Sequence, residues 1–235
     1  MVERFFMGGE SSCMSDTEGI TLISGPPSCG KTSLLFQYAF NILTRHFNGY
    51  IVFLCDYRRF QSNPPFLSHG LDPTSSHIFH RIQIKYIDKC DDEALKKYFA
   101  AFHLLNPCPL AVIIDDFGDF FLDSKCQQRY DNARGRDLAM VRVLALCQSA
   151  ILHANKTAPC KLFLSDTHHG DSPRLFIYKR WLSSIFTVQR DGSGSFLLRN
   201  SVSANEKGKG IKSARYSIAL HYLVLEGFVE DEQLL

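Results

Sequence analysis

The chain alternates between short, unbroken apolar runs and longer amphipathic ones. GITLIS (19–24), GYIVFLC (49–55), PLAVIID (109–115) and CKLFLS (160–165) are dense in branched side chains and lack polar alternation, the pattern of strands buried on both faces. TSLLFQYAFNILTRHF (32–47) and DLAMVRVLALCQSAILHA (137–154) place apolar residues at helical spacing. DDEALKKYFAAFHLL (91–105) opens with acids that suit a helix N-terminus. HIFHRIQIKYI (77–87) alternates like a strand, and RFQSNPPFLSHGLDPTSS (59–76), with three prolines, reads as a long loop. From about residue 184 the pattern turns antiparallel: SSIFTVQR, the turn DGSG (191–194), then SFLLRNS, with RYSIALHYLVL (215–225) as one final strand. Buried strands separated by helices predict an α/β fold with a mostly parallel sheet covered on both faces and antiparallel C-terminal strands as an edge extension. Residues 1–18 are small and polar and read as a flexible tail, leaving 19–235 as a single core domain. Phe5-Phe6 in that tail is either an anchor for a partner or a segment that folds back on its own core.

Composition narrows this picture little. A chain of 235 residues with 45% apolar content sustains one sizeable core. The formal charge of +2 supplies no global basic field, so any nucleic-acid contact must come from a local patch. No apolar run is read as approaching the roughly 18 residues of a membrane span. The opening MVERFFMGGESSCMSD lacks the apolar segment of a signal peptide. The eight cysteines are scattered without a C-x-x-C pair and read as reduced thiols of an intracellular protein.

The informative stretch is GPPSCGKTS (25–33), which fits G-x-x-x-x-G-K-[ST] without a gap, with a strand before it and a helix after. The nucleotide-binding candidates are Gly25, Pro26, Pro27, Ser28, Cys29, Gly30, Lys31, Thr32 and Ser33. The glycines let successive N–H groups turn toward phosphates, and Lys31 reaches the β- and γ-phosphates as a point charge. The Thr32 hydroxyl ligates Mg²⁺, and the helix that follows presents its positive end. The buried run Ala111-Val112-Ile113-Ile114 ends in Asp115, the acid expected to orient the Mg²⁺ shell. Asp116 follows, either as a water-orienting base or as a solvated loop residue or cap. This is the signature of an ATP- and Mg²⁺-binding site with Lys31 and Asp115 in catalytic roles.

With these motifs the chain resembles the RecA-type recombinases and their paralogs. The resemblance runs over GITLISGPPSCGKTSLLFQYA (19–39), AVIIDDF (111–117), RGRDLAMVRVLALCQSAILHANKTAPCKLFLSD (134–166) and WLSSIFTVQRDGSGSFLLRN (181–200). FLCDYRRFQSNPP (53–65) and HRIQIKYI (80–87) narrow it toward the small ATPase subunits of Shu-type complexes, which pair with a SWIM-domain zinc protein. The resemblance implies a RecA-like P-loop core, with the loop at the edge of the sheet, and a nuclear role assisting homologous recombination. It further implies single-stranded DNA and a SWIM-domain protein or a recombinase as partners, in a hetero-oligomer.

Two positions depart from the family. Tyr57 falls where recombinases carry the glutamate that activates water, with Asp56 one residue early, and Thr167 falls on the glutamine that senses the γ-phosphate. Nucleotide binding survives these changes, and the water-positioning role passes to Asp56 or Asp116. His168 is a candidate γ-phosphate sensor or DNA contact. A metal shared by His168 and His169 is disfavoured, because neighbours along a strand point to opposite faces.

Two loops correspond to the DNA-contacting loops of the family. The first, GDFFLDSKCQQRYDNARGR (118–136), carries Lys125, Arg129, Arg134 and Arg136, offset by Asp119, Asp123 and Asp131. The second, HHGDSPRLFIYKRW (168–181), interleaves basic and aromatic residues as single strands require, and Arg174, Tyr178, Lys179 and Arg180 are its DNA-binding candidates. Lys207, Lys209 and Lys212 form a third patch on a glycine-rich loop. The alternative from another class is a catalytically weak, nucleotide-binding scaffold that acts through protein partners. A small-molecule kinase would need an arginine-rich lid, for which Arg58-Arg59 is the sole counterpart.

Overall fold

A computed structural model describes residues 2–6, 19–69, 77–89, 91–121, 133–168, 174–201 and 212–230. Its centre is a nine-stranded sheet formed by β1 (Ile20–Gly25), β2 (Ile51–Cys55), β3 (Ile82–Tyr86), β4 (Ala111–Ile114), β5 (Lys161–Thr167), β6 (Ser184–Arg190), β7 (Phe196–Asn200), β8 (Lys212–Ala219) and β9 (Tyr222–Glu230). The strand order is β3-β2-β4-β5-β1-β6-β7-β8-β9. The six strands from β3 through β6 run parallel, and β7, β8 and β9 continue the sheet antiparallel. The fold is therefore α/β, with a mostly parallel central sheet and antiparallel C-terminal strands, as the apolar pattern predicted. β1 lies inside the sheet between β5 and β6, so the glycine-rich loop opens from the middle of the sheet and not from an edge.

Helices close both faces. α1 (Lys31–Arg45) covers one; α3 (Asp92–Ala100), α4 (Ala133–Ala154) and α5 (Leu175–Trp181) cover the other, and the short α2 (Tyr57–Ser62) follows β2. Alternation along the buried strands feeds two cores. Leu22, Val112 and Leu164 point to the α3–α4 side, while their neighbours Ile23, Ile113 and Phe163 point to the α1 side. α4 is long and apolar enough by length and mean hydropathy (1.3) to cross a membrane, an exception to the expectation that no apolar run approaches such a span. Its residues Met140, Val143, Leu144 and Cys147 are fully buried in the α3–α4 core. The described cysteines are all free, and burial pushes the Cys55 and Cys160 thiols up to about 12.

Four expectations change. Residues 2–6 are not a loose tail: Val2–Phe5 forms a 3₁₀ turn, Phe5 packs edge-on to Phe186, and Phe6 lies against Tyr216. The Phe5-Phe6 pair thus folds back on the core, while residues 7–18 lie outside the described residues. The expected loop over 59–76 overlaps α2, which Asp56 caps. The expected second loop contains α5. RYSIALHYLVL is a hairpin, not one strand: the chain reverses at Leu220 and His221, both left-handed (φ 51° and 63°). Such turns usually carry Asn or Gly at these positions, and here neither residue announces the reversal.

Candidate functional site

The site is assembled at the C-terminal ends of β1, β4 and β5. β1 delivers the chain into a loop with left-handed backbone at Ser28 and Gly30 (φ 57° and 82°), and Gly30 is the N-cap of α1 without a side-chain capping bond. The left-handed backbone at Gly30 favours glycine, and a Cβ there would also meet the tip of Ile218 of β8 at 2.8 Å, which would have to shift. Gly25 is pressed as closely against Val188. From beneath, the buried Tyr216 hydroxyl donates to the Cys29 carbonyl at 2.6 Å. These contacts fix the shape of the loop, and no side chain of the N-cap residue caps the first turn of α1.

Lys31 is 3% exposed and folds over this loop, donating to the carbonyls of Pro26 at 2.8 Å and Gly25 at 3.3 Å. Burial holds its ammonium below the usual lysine range, opposed by the nearby Cys29 and Asp115. Thr32 donates to Asp115 Oδ2 at 2.8 Å, and Ser165 of β5 donates to Asp115 Oδ1 at 2.7 Å. Ser33 turns away from the loop mouth and accepts the Phe66 N–H at 2.9 Å. Pro26 and Pro27 are half-buried at the rim, and Ser28 is exposed. His168 stands beside the loop, its Nδ1 2.9 Å from the Ser24 hydroxyl and its main-chain N–H donating to the Gly25 carbonyl at 3.2 Å. His169 lies outside the described residues.

The neighbouring flank is differently arranged. Asp56 accepts the Arg59 N–H on Oδ1 at 2.8 Å and the Lys89 N–H on Oδ2 at 3.2 Å. Both its oxygens serve local structure, capping α2 and holding the Lys89 amide. Tyr57 is half exposed and packs edge-on to Tyr86. Asp116 is buried, which removes the solvated-loop alternative, and its backbone is left-handed (φ 48°). Its N–H donates to Ser165 Oγ at 2.7 Å, its Oδ1 accepts Thr167 at 2.6 Å, and its Oδ2 is ion-paired with Arg59. Arg59 also reaches Asp119 at 3.3 Å, and Lys89 pairs with Asp119 at 3.1 Å. The pairing of Arg59 with Asp116 and the bridging role of Ser165 were not foreseen, since neither residue belongs to a nucleotide motif.

Among the DNA-binding candidates, Tyr178 is fully buried and donates to Asp166 Oδ2 at 2.8 Å, so its ring is not available for base stacking. Its helical neighbours in α5 place Lys179 and Arg180 in solvent beside Phe176, which is 66% exposed. Arg174 is half-buried at the start of α5, where its charge favours the ionised form of Asp166, a carboxyl that burial pushes up. Arg134 is exposed and Arg136 half-buried in the first turn of α4; Lys125, Arg129, Lys207 and Lys209 lie outside the described residues.

No group of three or more metal-binding side chains occurs among the described residues. The donors that fit Mg²⁺ are the Thr32 hydroxyl and the Asp115 carboxylate. Two hard oxygens suit a cation that keeps most of its own waters and takes its other ligands from phosphate. The chain matches no protein-family model and no curated protein.

Proposed function

We propose that this is an ATP-binding protein built on a RecA-like P-loop core, a recombinase-paralog-like subunit that assists homologous-recombination repair. The observation that carries the nucleotide reading is the 2.8 Å contact between Thr32 and Asp115, with Lys31 folded over the glycine-rich loop beside it. Residues 83 positions apart converge on the open end of a helix. That convergence supplies what a triphosphate with Mg²⁺ needs: unpaired amides, one cation, a hydroxyl and a carboxylate. Lys31 would leave the Gly25 and Pro26 carbonyls for phosphate oxygens, Thr32 and Asp115 would hold Mg²⁺, and ATP would supply the phosphoanhydride. The sheet order is compatible with a RecA-like core. The exposed Phe176, Lys179 and Arg180 support single-stranded DNA as a partner. A SWIM-domain zinc protein or a recombinase as partner, hetero-oligomeric assembly and nuclear location follow from the resemblance alone.

A second reading, a nucleotide-stabilised scaffold with weak turnover, is favoured by one observation: Asp56 and Thr167 are both engaged in intramolecular bonds. Single-turnover ATP hydrolysis with and without single-stranded DNA, beside Lys31→Ala and Asp115→Ala, separates the two. Turnover that rises with DNA and disappears in both variants supports the ATPase. Tight binding without turnover supports the scaffold, and no binding by the wild type overturns both.

A further inference from the structure

Arg59 has no part in the nucleotide motifs, yet its side chain reaches the centre of the site. Asp56 accepts its main-chain N–H, which anchors the first turn of α2. From there the guanidinium crosses from the end of β2 to the end of β4, pairing with Asp116 and lying 3.3 Å from Asp119. The side chain of Arg59 is 34% exposed and that of Asp116 only 2%, so the guanidinium stands between the carboxylate and solvent. Asp116 is then held on both oxygens, by Thr167 and by Arg59. Its left-handed backbone is a conformation that non-glycine residues keep where surrounding contacts impose it, often at functional sites. Ser165 joins Asp116 to the Thr32–Asp115 pair, accepting from Asp116 N–H and donating to Asp115.

We propose that Arg59 is a positioning residue that masks Asp116, the ion pair keeping this carboxylate from orienting water and so restraining hydrolysis of a nucleoside triphosphate at the glycine-rich loop. This rests on the nucleotide reading above. With the guanidinium withdrawn, Asp116 Oδ2 accepts a hydrogen bond from water. The water oxygen then bonds to the terminal phosphorus as the bond to the leaving diphosphate oxygen breaks. One hydrogen stays on the inorganic phosphate and the other is released to solvent as a proton.

The test measures binding of a fluorescent ATP analogue and then steady-state ATP hydrolysis by the full chain. Arg59→Gln is expected to bind with a Kd close to wild type and to raise kcat about tenfold with KM unchanged. Arg59→Lys should stay near wild type, and adding Asp116→Asn to Arg59→Gln should remove the gain. Should Arg59→Gln not fold, Asp119→Asn loosens the guanidinium while leaving Asp116 paired, and a smaller rise in kcat is expected. A folded Arg59→Gln, or failing that a folded Asp119→Asn, with unchanged or slower turnover overturns the mask while leaving nucleotide binding intact. Absence of binding by the wild type overturns the nucleotide reading and the mask with it.

Discussion

The two flanks of the site lie a few residues apart and treat their polar groups in opposite ways. On the loop flank, Lys31 rests on main-chain carbonyls and the amides opening α1 have no side-chain cap. These are arrangements that an incoming anion improves, because each exchange trades a neutral partner for a charged one. On the Asp116 flank the charges are already matched: Asp116 with Arg59, Asp119 with Arg59 and Lys89, Asp56 with two backbone amides. An anion or a water molecule arriving there must displace an existing partner. Binding and turnover thus depend on different sets of bonds, and substitutions should separate them.

The largest effect is expected at Lys31. Lys31→Met should weaken binding of an ATP analogue by about 10- to 100-fold, the range for a lost charged hydrogen bond, measured by fluorescence titration. The same substitution should leave thermal stability unchanged or improved, because it removes a buried cation. A large loss of Tm would break the contrast between the flanks. Next comes Tyr178→Phe, which leaves the buried Asp166 short of a donor; a stability loss of about 1–3 kcal/mol is expected in denaturant titration. Asp166→Asn, which keeps an acceptor without the charge, should cost less. Asp56→Ala should cost about 1 kcal/mol as a lost helix cap, with kcat nearly unaltered. A drop in kcat of several orders of magnitude would instead assign Asp56 the water-positioning role.

The smallest effect is in pH. Lys31 binds its proton less tightly folded than unfolded, so between its lowered folded value and the ordinary lysine value of 10.5 the unfolded chain carries more protons. Stability from this group therefore rises with pH across that window, and Lys31→Met should abolish the rise. A bound anion reverses the preference, so analogue affinity should fall as pH climbs through the folded value, with proton uptake on binding visible by calorimetry in buffers of different ionisation enthalpy.

How much of this was legible differs by region for physical reasons. The central strands were readable because burial on both faces leaves unbroken apolar runs, and GPPSCGKTS was readable because its spacing is imposed by the shape of the loop. The Leu220–His221 turn was hidden because its left-handed backbone is carried by residues that do not advertise it. The inward turn of Tyr178 is not visible in a stretch whose basic and aromatic residues suggest a loop; with 175–181 helical, Phe176, Lys179 and Arg180 share the solvent and Tyr178 turns inward. Arg59 could not be found by spacing, since its partners Asp116 and Asp119 are joined to it only by the parallel crossover of β2 and β4.

The contact from Tyr216 to the Cys29 carbonyl ties the loop to both ends of the described chain. Phe6 packs on the Tyr216 ring at 5.5 Å, and Tyr216 sits in β8 of the terminal hairpin. A purification tag or fused reporter that disturbs Phe6 or the β8–β9 hairpin is therefore expected to reach the loop through a single aromatic ring. Assays of the loop should be compared between proteins tagged at opposite ends before any difference is assigned to a ligand.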